Sequence, residues 1–356
     1  MRQLPAQRGH DVAKPSLQEL ASANEARILR VLSVAEAVCG EPVSDVESPG
    51  GVFRASLRLK IDGRSVIATA RSQGRTAREE ALVLRALSDI TDRVPVVLGC
   101  QSGVLLQSDL GQNRLDLAIA RAPVGRQALL AEAAASSLVD LHAAADRTAL
   151  SRALDPLDDP EEQAARRILS ADALAPFAAK GEVVFDRAAV MRALCAIPRA
   201  FVKGDCRPAN ATLGADRRVR WFDFETCGPG PRVRDFAELI VDPVWTLPPD
   251  RLFASVGARA GCAHAALSLH TALRAAEALE RLMTEAQVHG WQSRAQVLVE
   301  DGPGANAAFA ARIADMGAMG AGQSRLLEPL VLPFSRAARH FRQVARQPGR
   351  TGTRCS

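Results

Sequence analysis

The decisive stretch reads Lys203-Gly204-Asp205-Cys206-Arg207-Pro208-Ala209-Asn210, then Trp221-Phe222-Asp223-Phe224-Glu225. Two carboxylates, Asp205 and Asp223, and the amide of Asn210 fall close together, and short apolar runs precede both carboxylates. Phosphoryl transfer calls for this set. Its transition state is stabilised by positioning and by neutralising charge. One carboxylate orients the attacking hydroxyl and takes its proton. A second, with an amide oxygen, holds magnesium against the phosphates. Magnesium prefers hard oxygens and keeps several waters, so two protein ligands suffice. Alone, each Asp or Asn reads as a loop-capping residue, since both are common in turns.

Upstream of this stretch the pattern has period two. Residues 52–59 alternate, Asp62-Gly63 makes a hairpin turn and Ser65–Arg71 forms a second strand. With Ser48-Pro49-Gly50-Gly51 in front, three strands are expected. A helix over 76–87 and strands over 94–100 and 103–107 complete a five-stranded α+β unit. Helical spacing over 17–38, stopped at Gly40, places a helix before it. Beyond Asp109-Leu110-Gly111 helices are expected over 127–145, 161–174, 185–197, 235–241, 260–288, 293–316 and 326–342, interrupted by a β-like patch over 200–224. Residues 1–15 and 347–356 read as disordered tails.

The chain has 356 residues, 47% hydrophobic and 24% charged, enough for one large or two small domains. With 11 Phe, 3 Trp and no Tyr, the core must rest on Ala, Val and Leu. A net charge of +5 suits anionic ligands such as nucleotides, yet no basic run is interleaved with aromatics, which argues against nucleic acid. Seven scattered cysteines without a C-x-x-C argue against a disulfide framework or a zinc site. No apolar h-region and no long apolar run is seen, so a cytoplasmic protein with no membrane partner is expected.

The stretch resembles the aminoglycoside phosphotransferase and choline-kinase-like branch of the protein-kinase fold. That family's catalytic loop reads H-G-D-x-x-x-x-N and its metal strand I-D-W/F-E. Asp205, Asn210 and Asp223, together with Pro208 and Asp235, stand at that family's spacing, and the resemblance favours function over capping. The resemblance implies a bilobal fold: a leading helix and nucleotide-binding lobe over 16–108, then a mainly helical catalytic and substrate lobe over 109–346. It implies ATP (or GTP) and Mg2+ as cofactors. It implies Asp205 as catalytic base, Asn210 and Asp223 as metal ligands, and Asp235 as a brace for the loop. Glu80, in the helix after the third strand, would pair with a phosphate-binding base. Leu105–Gly111 would be the hinge that meets the adenine. The acceptor would be an amino sugar, an aminoglycoside or an amino alcohol.

Two positions depart from the family pattern. Lys203 stands where the catalytic-loop His is usual, and no lysine marks the third strand, which ends in Arg71. Arg71 reads first as a solvated strand end and second as a phosphate clamp. Glu80 reads equally as its partner or as a surface carboxylate. Gly50 and Gly51 read equally as a hairpin turn or a phosphate-covering loop. His142 and Cys206 read as packing residues. The departures keep a second function class open, a pseudokinase that binds a ligand or partner without turnover.

Overall fold

The computed structural model describes residues 17–49, 55–71, 76–156, 159–179, 183–293, 297 and 304–346. Gly50 and Gly51, candidates for a phosphate-covering loop, lie outside the described residues. The first helix is α1 (Leu17–Cys39). It stops at Gly40, whose φ of 73° is left-handed. Then come β1 (Val43–Glu47), β2 (Ser56–Ile61), β3 (Arg64–Ala70), α2 (Ala77–Ser88), β4 (Val97–Gln101) and β5 (Val104–Ser108). The strands form one antiparallel sheet in the order β1-β2-β3-β5-β4. Asp62 and Gly63, with φ of 48° and 70°, make the two-residue β2–β3 turn, whose twist matches that of the strands.

Period-two alternation decides which side of the sheet each residue faces. Leu57, Leu59, Val66, Ala68, Val104 and Leu106 pack with Val31, Val34 and Ala35 of α1. Leu105, one step out of that phase, packs with Ala81, Leu84 and Leu87 of α2. β5 is therefore buried along Val104–Gln107. Gly99 lets α1 lie close to β4, because a Cβ there would sit 2.4 Å from Val38 Cγ1. α2 starts with a reciprocal capping box between Thr76 and Glu79.

The rest of the described chain is mostly helical: α3 (Leu115–Arg121), α4 (Val124–Asp146), α5 (Leu150–Ala153), α6 (Pro160–Ser170), α7 (Arg187–Cys195), α8 (Val233–Val241), α9 (Pro249–Ala260), α10 (His264–His289), α11 (Ala307–Gly322) and α12 (Val331–Ala345). The helix expected over 260–288 is preceded by a separate one. Gly261, at φ 59°, closes α9 before α10 begins. Part of the helix expected over 293–316 lies outside the described residues. Its described portion starts at Ala307 behind the Asn306 cap and runs on to Gly322. α4 is long and apolar enough to cross a membrane by length and composition. Here its Leu130, Ala134, Leu138 and Leu141 are buried in the main core beside Leu252 and Val256 of α9.

The β-like patch resolves into two antiparallel pairs. β6 (Arg199–Val202) pairs with β9 (Gly228–Pro231), and β7 (Ala211–Leu213) pairs with β8 (Val219–Trp221). These short pairs hold the decisive stretch: residues 203–210 link β6 to β7, and Asp223 follows β8.

Candidate active site

Gly204 turns the chain at φ 94°, and a Cβ there would meet the Thr226 carbonyl oxygen at 2.1 Å. Only glycine fits this close backbone approach. Asp235, fully buried in α8, pins the turn from below. Its carboxylate accepts from the backbone N–H of Lys203 at 2.8 Å and of Gly204 at 3.0 Å. His142 Nε2 donates a third bond at 2.8 Å. Burial alone would raise the Asp235 pKa. The His142 bond and charge and the two N–H groups outweigh it and hold the carboxyl below its ordinary value. His142 also packs edge-on to Phe236, so its packing reading stands.

Asp205 follows Gly204. Burial pushes its pKa up, but the charges of Arg207 and Lys203 win, and the carboxyl is held below its ordinary value. Arg207 Nε donates to Asp205 Oδ1 at 3.1 Å. Asn210 is buried at the end of the turn Pro208–Asn210, and its Nδ2 donates to the Asp205 carbonyl at 3.4 Å. Its carbonyl accepts from Phe222 N–H at 3.0 Å, which ties the loop to the segment carrying Asp223. Asp223 itself has φ 63°, a left-handed backbone rare outside glycine.

Lys203 is completely buried. Its ammonium donates to the carbonyls of Asp205 at 2.6 Å and Asp223 at 2.9 Å, near the rings of Phe224 and Trp221. One side chain thus joins the two halves of the site.

Arg71 is not the solvated strand end the sequence favoured. Its side chain is 9% exposed. Nε and Nη2 donate to the two oxygens of Glu80 at 2.6 and 2.8 Å. Nη2 also reaches Asp223 Oδ1 at 2.8 Å, and Nη1 reaches Glu225 Oε2 at 2.8 Å. Burial works against the guanidinium charge, but its Glu80 bonds and the charges of Glu80, Asp223 and Glu225 raise its pKa. Glu80 is likewise no surface carboxylate, since it is fully buried and also accepts from Phe224 N–H at 2.9 Å. Burial and the nearby Asp223 charge push Glu225 above its ordinary value.

A cleft of about 260 Å³ opens between this group and the sheet. Ile67, Gln107 and the 108–111 turn line one side, and Asn210, Thr212 and Asp223 the other. Gln107 Oε1 and Thr212 Oγ1 are buried without a hydrogen-bond partner. Such orphaned polar atoms suit a polar ligand such as a nucleotide. Asn210 and Asp223 offer the hard oxygens that magnesium takes. Among the described residues no group of three or more His, Cys, Asp and Glu could hold a metal. Phosphate oxygens and water would therefore have to complete the shell.

The structure thus brings Arg71, Glu80, Asp205, Asn210 and Asp223 into one neighbourhood. Sequence reasoning missed Arg207, which faces both the cleft and a second pocket beside Asp205. It also missed Glu225 as an Arg71 partner. The signal for both lay inside the motif: Arg207 at a position it leaves open, Glu225 at its closing Glu.

The chain belongs to the phosphotransferase enzyme family (APH), matching it over residues 48–279. It is similar to several solved structures, the first two of which share its fold. The GDP complex of wild-type aminoglycoside 2'-phosphotransferase-IIIa is 17% identical, with a TM-score of 0.52 over 78% of this chain and 98% of that one. The aminoglycoside phosphotransferase from Alicyclobacillus acidocaldarius is 15% identical, with a TM-score of 0.51 over 80% and 93%. A choline/ethanolamine kinase family protein from Mesorhizobium loti is 15% identical, with a TM-score of 0.48 over 90% and 99%. No curated protein matches the sequence.

Proposed function

We propose that the chain is an ATP- or GTP-dependent, Mg2+-dependent phosphotransferase acting on a hydroxyl of a small molecule. The observation that carries this reading is the single loop on which Asp205 faces one pocket while Asn210 and, through Lys203, Asp223 are held at another. Asp205 is the base: it orients the acceptor hydroxyl and takes its proton. The hydroxyl oxygen bonds to the γ-phosphorus as the bond to the β–γ bridging oxygen breaks, and the nucleoside diphosphate leaves. Asn210 and Asp223 hold magnesium, which when bound neutralises phosphate charge. Arg71, braced by Glu80, sets Asp223 and faces the phosphates. A similar fold solved with GDP supports a nucleotide in the cleft.

The family resemblance supports two lobes, residues 16–108 over residues 109–346, and a cytoplasmic location. The acceptor classes it implies are amino sugars, aminoglycosides and amino alcohols. The test is phosphate transfer by purified protein from ATP or GTP with magnesium, with Asp205→Ala as control. Transfer that vanishes in the variant supports the reading. A variant as active as the parent removes Asp205 from the role of base.

One observation favours a second reading. Arg71 already occupies Asp223 Oδ1, an oxygen that a metal would use. A pseudokinase would keep that ion pair and bind no magnesium-nucleotide. A nucleotide at 100 times its dissociation constant stabilises by about 2.7 kcal/mol. Magnesium-dependent stabilisation of that size by ATP or GTP counts against the pseudokinase, and its absence supports it.

A further inference from the structure

Beside Asp205 lies a larger pocket, about 580 Å³, between the catalytic loop, α8 and α10. That size lies within the range of small-molecule sites, roughly 300–1,000 Å³. Its wall is rich in charge, and the way the charges pair is informative.

The acids on the wall are engaged, and Glu285 lies 3.8 Å from His289 Nε2. Glu238 receives both Nε and Nη2 of Arg274. Glu277 takes Nη1 of the same arginine at 3.4 Å. Asp205 holds Arg207, and Glu280 accepts from Ser170 Oγ at 2.7 Å. Three other arginines on the wall, Arg167, Arg234 and Arg281, make no ion pair within 4.0 Å with any described residue. Arg167 is only 6% exposed, and its Nη1 lies 3.0 Å from the neutral His270 ring. Burial and the charges of Arg234 and Arg274, opposed by those of Glu277 and Glu238, bring Arg167 down to about 10, so it is still protonated at neutral pH. Arg234 Nε is buried with no hydrogen-bond partner.

Glu277 is the acid whose charge reaches all three arginines, but it is shared with Arg274, so a further anion would relieve the cost of burying Arg167 and the Arg234 Nε. Arginine forks fit carboxylate and phosphate oxygens in pairs. A cation placed beside these three arginines would meet like charge, although the wall as a whole also carries Asp205, Glu238, Glu277, Glu280 and Glu285. We infer that the acceptor carries an anionic group, a carboxylate or a phosphate ester, bound by Arg234 and Arg281 with Arg167 behind them, while its hydroxyl faces Asp205. The placement of the hydroxyl rests on the phosphotransferase reading, whereas the anion site rests on the arginines alone.

The test uses one sugar frame in four charge states: glucose, glucosamine, glucuronate and glucose 6-phosphate, with inorganic phosphate as a minimal probe. Each is assayed on the full chain by shift in unfolding temperature and by transfer from Mg-ATP. Arg234→Gln and the exposed Arg281→Gln are the variants. The expected result is stabilisation by an anionic probe and none by glucosamine. Anion affinity should fall at least tenfold in either variant, with the Mg-ATP shift unchanged. Glucuronate acting alone identifies a carboxylate; glucose 6-phosphate, with or without inorganic phosphate, identifies a phosphate. Equal stabilisation by glucosamine, unaltered anion affinity in both variants, or no anion binding overturns the inference. Mg-ATP binding without anion binding overturns it while the phosphotransferase reading survives. Arginine-dependent anion binding without Mg-ATP binding or transfer supports the anion site and sinks that reading.

Discussion

Arg71 and Glu80 are joined by two N–H···O bonds, Nε to Oε2 at 2.6 Å and Nη2 to Oε1 at 2.8 Å. The pair links the end of β3 to α2. The same guanidinium continues to Asp223 and Glu225. A lysine ammonium has no planar fork and could not bind Glu80 edge to edge while also reaching two further carboxylates.

Arg71→Met should therefore cost about 3–5 kcal/mol, the scale for stranding one partner of a buried pair. The variant leaves Glu80 fully buried beside Asp223 and Glu225. Adding Glu80→Gln removes the stranded charge and keeps an acceptor for Phe224 N–H. Urea unfolding of the double variant should recover at least half the loss. A double variant no more stable than Arg71→Met would show that the pair is not the unit that matters.

Lys203 offers a second test. Its ammonium is the donor to the carbonyls of both Asp205 and Asp223. Lys203→Met keeps the bulk, takes the ammonium from the Asp223 carbonyl and leaves the Asp205 carbonyl only its 3.4 Å bond from Asn210, at about 1–3 kcal/mol in all. The free energy of unfolding should fall by that amount. Phosphate transfer should fall further than nucleotide affinity, because both acidic residues lose their fixed spacing.

Much of this was legible in sequence, and the failures share a cause. The alternation over 52–71, the Asp62-Gly63 turn and the period of α2 report on neighbours a few residues away, so the sheet unit could be read. Asp205, Asn210 and Asp223 sit at a spacing one loop and one hairpin can satisfy. Arg71 could not be read in the same way. Its burial is created by Glu80, Asp223 and Glu225, and two of these lie more than 150 positions downstream. A strand-end arginine looks solvated until the chain returns to cover it. The unpaired state of Arg167 and Arg234 was invisible for the same reason, since pairing belongs to helices brought together by the fold. α9 was missed although Leu252, Phe253 and Val256 carry helical spacing and Pro249 stands at the first helical position, where proline is well tolerated.

Asp205→Asn preserves volume and the surrounding backbone bonds, which run to the Asp205 carbonyl and not to its carboxylate. Transfer should drop by roughly 10²–10⁴-fold, the usual contribution of a positioned general base. The Mg-ATP-induced shift in unfolding temperature should remain. Loss of both together would indicate a collapsed loop and not a missing base.

Asp242, just past α8, gives a prediction of opposite sign to the usual carboxylate. Burial pushes it up to about 6 from 3.8, with the Asp116 and Glu238 charges adding to the rise and Val244 N–H and Arg207 opposing it. The folded state therefore holds this proton more tightly than the unfolded chain does. Between the two values the native protein binds more protons, so stability falls as pH rises from about 4 to about 6 and stays reduced above. A shift of that size corresponds to about 3 kcal/mol at most. Partial exposure of the residue brings the expected effect to roughly 1–2 kcal/mol. Asp242→Asn keeps an oxygen for Val244 N–H, which now meets Oδ1 at 2.9 Å. The variant should be more stable than the parent at pH 7.5 by that amount and equal to it near pH 4. Urea midpoints at four pH values across that range decide the matter: a difference that does not change with pH would assign the effect to packing and not to the proton.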